Sequence, residues 1–168
     1  MLDLISLRAR PDLRAQVFGK AIQSLWPQFM QEDLIADLYF AAPYFDAYLD
    51  TAFAIIDPAH PDIAVGRAFA VPFAFEDDAD RMELPDIGWD GVIRWAHSDR
   101  RKRRDATCLS ALEITLLPSH RGLGGSGAVL NAMRRHAHRL GYRAFVAPLR
   151  PTTKHLEPLM PMADDIGR

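Results

Sequence analysis

At 168 residues, 49% apolar and 25% charged, the chain is long enough for one domain with a real core and has an ordinary water-soluble composition. No apolar run approaches the ~20 residues that span a bilayer. The opening MLDLISLRARPD lacks a signal-peptide layout, and the single cysteine, Cys108, excludes a disulfide framework and a cysteine-based metal site. The expectation is a cytoplasmic protein with no membrane partner and no metal. The net charge is only −2 but unevenly spread. No acid occurs from Ile114 to Leu156, a stretch that holds Arg121, Arg134, Arg135, Arg139, Arg143, Arg150 and Lys154. A local cationic field around a glycine turn suits a small polyanion better than a nucleic acid.

In chain order, Leu13, Val17, Ala21 and Leu25 recur at helical spacing and predict a helix over 12–26 that Pro27 stops. EDLIADLYFAA (32–42) predicts a second helix, ended or kinked by Pro43. The period then changes to two. TAFAIID (51–57) and IAVGRAFAVPFAFE (63–76), joined by PAHPD, predict an antiparallel hairpin, with an edge or bulge at Pro72. Residues 77–108 read as an irregular insertion with one short helix over 89–97, and RRKRR (100–104) as a solvated loop. LSALEITLL (109–117) predicts a strand and PSHRGLGGSG a glycine-rich turn. AVLNAMRRHAHRL (128–140) predicts a helix burying Val129, Leu130, Met133, Ala137 and Leu140, closed by Gly141. YRAFVAPL (142–149) predicts a further strand, completing a strand–loop–helix–strand unit over 109–150.

The turn HRGLGGSG (120–127) fits G-x-G-x-x-G, but a dinucleotide fold needs its strand to enter the first glycine directly and an acid about 20 residues further on. Here PSHR intervenes, and the later region FVAPLR contains no acid. A P-loop needs Lys and Ser or Thr after its last glycine, whereas Ala128 and Val129 follow Gly127. What remains is a helix N-terminus behind glycines, whose unpaired N–H groups and positive dipole end suit an anion.

LEITLLPSHRGLGGSGAVLNAMRRHAHRLGYRAFVAP resembles the GNAT superfamily of acetyl-CoA-dependent N-acetyltransferases. Arg121, Gly124 and Ser126 stand at the signature positions R/Q-x-x-G-x-G/A, with Ser in place of the usual small Gly or Ala. The resemblance is strong over 109–162 and implies one α/β (α+β) domain with a mixed central sheet flanked by helices. It implies acetyl-CoA between strands 109–117 and 142–149. The cofactor's pantetheine arm would pair with the backbone of Ile114, Leu116 and Leu117. Its pyrophosphate would lie on Arg121, Gly122, Leu123, Gly124, Gly125, Ser126 and Gly127. The family continues with another helix and two strands, whereas only RPTTKHLEPLMPMADDIGR remains here. That shortness, and the exposed apolar edge it leaves on strand 142–149, imply a homo-oligomer.

Acetyl transfer to an amine requires a base for the ammonium proton. Glu113, one residue before the cofactor segment, is the candidate; a salt-bridged strand glutamate is the alternative. Strand alternation places Glu113 with Thr115 on one face and Leu112, Ile114 and Leu116 on the other. His120, Lys154 and His155 are weaker candidates, and Tyr44, Tyr48, Trp89 and Trp95 are expected in core packing. The resulting expectation is an N-acetyltransferase acting on a small-molecule or peptide amine, without nucleic acid. The alternative is a non-catalytic GNAT-like module that binds acyl-CoA or a protein.

Overall fold

The computed structural model of the chain describes residues 2–26, 33–42, 44–76, 81–122 and 124–148. Among them, strands β1 (Asp3–Ser6), β2 (Ala52–Asp57), β3 (His60–Phe73), β4 (Cys108–Leu116) and β5 (Ala144–Val146) form one sheet in chain order. The first four are antiparallel neighbours, and β5 joins β4 in parallel. A parallel step needs a crossover connection, here the helix Gly125–Arg139. The mixed sheet flanked by helices is the architecture expected.

Among the described residues, α1 (Arg14–Val17), α2 (Lys20–Gln23), α3 (Asp37–Phe40) and α4 (Gly88–Lys102) precede that crossover, which is α5. They divide between the two faces of the sheet. Val17, Ile22, Tyr39, Val92 and Ile93 pack with Phe69, Val71, Phe73 and Cys108 on one face. Val129, Met133 and Ala137 of α5 pack with Phe53, Ile55, Ala68, Leu109 and Ala111 on the other. Alternate residues of β3 therefore bury opposite ways, which is why its sequence reads as continuously apolar. Pro72 sits where β3 has outrun β2, whose register ends at Ala52 opposite Phe69. At that point its missing N–H breaks no β2 pairing. Burial also pushes the Cys108 thiol up to about 12.

Several boundaries differ from the pattern. The helix expected over 12–26 breaks into α1 and α2, because Gly19 is extended (ψ 154°) and glycine is a poor helix former. The helix expected over 32–42 is helical only at α3; it ends at the extended Ala41 (ψ 138°), ahead of Pro43, which lies outside the described residues. Strand β1, for which no element was expected, pairs with β2 through Asp3–Ser6. The hairpin turn is tighter than PAHPD, with Asp57 opposite His60.

Within 81–108 the helix expected over 89–97 is longer than the pattern suggested. Helix α4 takes up 88–102, so RRKRR forms its last turn and cap rather than a loop, with Arg103 left-handed at φ 52°. Asp99 anchors this helix: its Oδ2 accepts the Ala74 N–H at 2.8 Å and Arg81 Nη1 at 2.6 Å. On α5, Leu140 is 45% exposed rather than buried, since the helix ends there and the chain turns at Gly141, φ +87°.

Gly66 leaves no room for a side chain in the sheet. A Cβ there would lie 2.4 Å from the Thr115 carbonyl oxygen and 2.9 Å from Leu116 Cδ2. Gly66→Ala is expected to cost about 1–3 kcal/mol or more, the range for overpacking a closed site, measured by urea unfolding; an unchanged midpoint would contradict this packing.

Candidate functional site

Strands β4 and β5 share only three register pairs, Cys108 with Ala144, Leu109 with Phe145 and Ser110 with Val146. Beyond Ser110, β4 runs on to Leu116 with no partner strand on that side among the described residues. The Leu117 N–H donates to Val65 O at 2.9 Å, toward β3. Backbone groups alternate in direction along a strand, so those of Ile114 and Leu116 face away from β3. Leu117 differs from the expectation: its N–H goes to β3 and its carbonyl accepts the His120 N–H at 2.9 Å. Both of its backbone groups are engaged within the chain.

A bulge interrupts β4 at the start of this open stretch. Phe69 faces Glu113 and Ala70 faces Ala111, leaving Leu112 unmatched. The extra residue changes the face count. Leu112 packs with the Phe69 and Cys108 cluster, while Ile114 packs with the α5 cluster. The expected grouping of Leu112 with Ile114 and Leu116 is thus corrected. The indole Nε1 of Trp89, from α4, donates to the Leu112 carbonyl at 3.2 Å.

The glycine turn follows the open stretch. A 3₁₀ turn over Pro118–His120 leads to Gly122 (φ +82°) and Gly124 (φ +71°), which caps α5. Both glycines take the left-handed conformation that side chains resist. No side chain caps this helix start, and its first N–H groups lack intrahelical acceptors, as at any helix start. A Cβ on Gly122, Gly124 or Gly127 would meet nothing within 4 Å, whereas one on Gly125 would press on Leu116 Cδ1 at 3.1 Å. Ser126 is exposed, and Arg121 folds back so that its Nε donates to Leu116 O at 2.9 Å. Leu123 lies outside the described residues, as do Lys154 and His155. His120 is half-buried, with Nδ1 2.9 Å from Ser119 Oγ. The turn is an open, uncapped cradle of N–H groups that fits a pyrophosphate.

Glu113 lies on the opposite face. Its side chain is 7% exposed and its Oε1 accepts Arg67 Nε at 2.7 Å and the Thr115 hydroxyl. Its Oε2 has no hydrogen-bond partner. Burial pushes the carboxyl above its ordinary value, while the charge and hydrogen bonds of Arg67, then Thr115 and Trp26, pull the other way. Arg67 is itself 2% exposed. Its Nη1 donates to Gln23 Oε1 at 2.7 Å and to Val17 O at 3.3 Å, and its guanidinium lies 5.2 Å from the Trp26 ring centre. Arg67 was not singled out from sequence. The one available signal was a lone charge inside the apolar run IAVGRAFAV.

Arg67 also borders a cavity of about 430 Å³ whose walls include Phe18, Trp26, Phe40, Asp33 and Asp37. The aromatics considered from sequence are placed differently. Tyr48 is buried, Trp89 and Trp95 pack against the core, and Tyr44 is 37% exposed beside His97. Among the described residues no group of His, Cys, Asp and Glu could hold a metal, and no helix is long and apolar enough to cross a membrane.

No family model matches the chain. It is similar to the arginine N-acetyltransferase avaD of Aspergillus versicolor, 29% identical over 172 residues that include 96% of this chain. The chain spans 57% of the length of that protein. Among solved structures it superposes on the loading GNATL domain of CurA from Lyngbya majuscula with a TM-score of 0.57, at 17% identity, over 100% of this chain and 74% of that one. The chain has the GNAT fold. In GNAT terms, the resemblance carried by Arg121, Gly124 and Ser126 and the architecture agree. A mosquito arylalkylamine N-acetyltransferase like 5b is more distant, with a TM-score of 0.48, 15% identity and coverage of 95% and 82%.

The Arg67–Glu113 pair gives a stability prediction. Arg67→Met leaves a buried carboxylate uncompensated and is expected to cost about 3–5 kcal/mol. The double variant Arg67→Met/Glu113→Gln is expected to recover a large part of that loss. Urea unfolding of both, with wild type, checks the coupling.

Proposed function

We propose that the chain is an N-acetyltransferase that takes its acetyl group from acetyl-CoA and delivers it to an amine. The observation that carries this reading is the uncapped, glycine-lined helix start that follows β4 through a short 3₁₀ turn. The relative from Aspergillus versicolor, an arginine N-acetyltransferase by name, supports an amine acceptor.

Acetyl-CoA would supply the activated thioester when bound; the chain's own residues hold and orient. The Ile114 backbone groups and the Leu116 N–H offer an edge for the pantetheine amides, in the manner of strand addition. The N–H groups at Gly124, Gly125, Ser126 and Gly127 receive the pyrophosphate, with Gly122 and Leu123 in the approach. The charge of Arg121 and the acid-free surface of α5 favour phosphate. Glu113 is the group for the amine proton. Arg67 and Thr115 hold its Oε1, and Oε2 is left able to accept the proton directly or through one water. The proposal includes a cytoplasmic location and a homo-oligomer paired through the outer edge of β5, an edge strand of the sheet.

Titration calorimetry with CoA tests the cofactor site. Ser126→Glu puts a negative charge at the α5 start, where the dipole tolerates or favours it by about 0.3–1 kcal/mol. It is expected to leave the melting temperature unchanged or higher while CoA binding weakens about tenfold or more, the fall that loss of a charge-assisted contact gives. Tight CoA binding by the variant would contradict a pyrophosphate at this helix start.

Glu113 acts as a base only when ionised, so turnover should rise with pH through its pKa. Because burial raises that pKa, the acidic limb of kcat against pH is expected above the ordinary glutamate range and is expected to disappear in Glu113→Gln. An unchanged limb in the folded variant would remove Glu113 from the proton path.

A further inference from the structure

The cavity beside Arg67 combines three features in its lining. Phe18, Trp26 and Phe40 give it an aromatic lining. Asp33 and Asp37 add two carboxylates, with half-buried Asp90 close enough to Asp33 that burial, then the Asp33 charge and hydrogen bond, push the Asp90 carboxyl up. The cation in the wall, Arg67, is already neutralised by Glu113 at 2.7 Å. Among the described lining residues Asp33 and Asp37 thus outnumber the cations, with Arg94 near Asp90 as a partial counter-charge, and they share the cavity with aromatic rings, the combination that attracts an organic cation. Glu113 joins this cavity to the open stretch of β4, since it stands on β4 and is bonded to Arg67. An acceptor amine near Glu113 would have the rest of its body in the cavity, whose 430 Å³ matches the size of small-molecule sites.

We propose that this cavity is the acceptor subsite and that it selects amines carrying a second cationic group, an ammonium or guanidinium, held at the far end from the nitrogen that is acetylated. Asp37 and Asp33 read that charge, and Trp26 and Phe40 hold the chain that carries it. The inference deepens the acetyltransferase reading and rests on it for the identity of the reaction, but the cavity's charge preference is measurable without any turnover.

The probes are 1,5-diaminopentane and 1-aminopentane, which differ only in the second ammonium. Binding to the full chain is followed by calorimetry and by tryptophan fluorescence, and kcat/KM is measured for both with acetyl-CoA. The diamine is expected to bind about fivefold or more tightly, the size of one exposed ion pair with a cation–π contact, and its advantage should fade with added salt. Asp37→Asn is expected to reduce that advantage. Asp33→Asn, which retains an acceptor for the Ile35 N–H, should do the same and serves as a second variant against a folding defect. Equal binding of the two amines, or an advantage untouched by both variants, overturns the proposal. Charge-selective binding without acetyl transfer supports the cavity and overturns the acetyltransferase reading. Acetyl transfer without charge preference does the reverse.

Discussion

The buried pair of Arg67 and Glu113 ties together more of this molecule than any other contact. It bridges β3 and β4 on the face of the sheet that α1–α4 cover. Through its second nitrogen the same guanidinium gathers the end of α1 at Val17 and the side chain of Gln23 on α2. Helices of one turn have almost no stability of their own, so α1 and α2 depend on what they dock against. Two charges taken from water give little net stability, yet each becomes costly when the other is removed. The pair therefore acts as a registration device: the sheet, the broken first helix and the cavity wall must be right together for both charges to be satisfied.

The bulge at Leu112 works with that pair. Without the extra residue, strict alternation would send Leu112 to the α5 face beside Ile114. With it, Leu112 and Glu113 both face the α1–α4 side, and the strand beyond turns its Ile114 and Leu116 backbone groups away from β3. Trp89 fixes the displaced carbonyl. A single inserted position thus places an acid on one face and a free backbone edge beside it, on a strand whose next turn is the anion cradle.

The C-terminal half was legible because its signals are local. Gly122, Gly124 and Gly141 each mark a backbone conformation that glycine alone adopts easily, and the α5 stripe of Val129, Met133 and Ala137 has plain helical spacing. The N-terminal half was less so. The 12–26 periodicity runs straight through Gly19, and no local rule weighs that glycine against the apolar stripe. Strand β1 is four residues long and owes its existence to β2, more than forty residues away. RRKRR reads as a solvated loop; its residues are solvated, but the first three are helical, because the buried Asp99 beside them ties α4 to Ala74 and Arg81. Arg67 was invisible for a related reason: an arginine among apolar residues gains meaning only when its partner on another strand is known. The candidate site shows the same division, with the glycine cradle readable and the cavity formed by three distant segments not.

Cys108, the chain's single cysteine, is enclosed between the sheet and its helical layer, and its thiol is held so far from ionisation that little thiolate exists near neutral pH. Thiol-directed reagents therefore have no natural target in the folded protein. A cysteine introduced at any exposed position becomes a unique attachment point for a fluorophore or spin label, with no need to remove the native one from the core. Conversely, the appearance of a second reactive thiol in such a labelled protein reports that the sheet has opened.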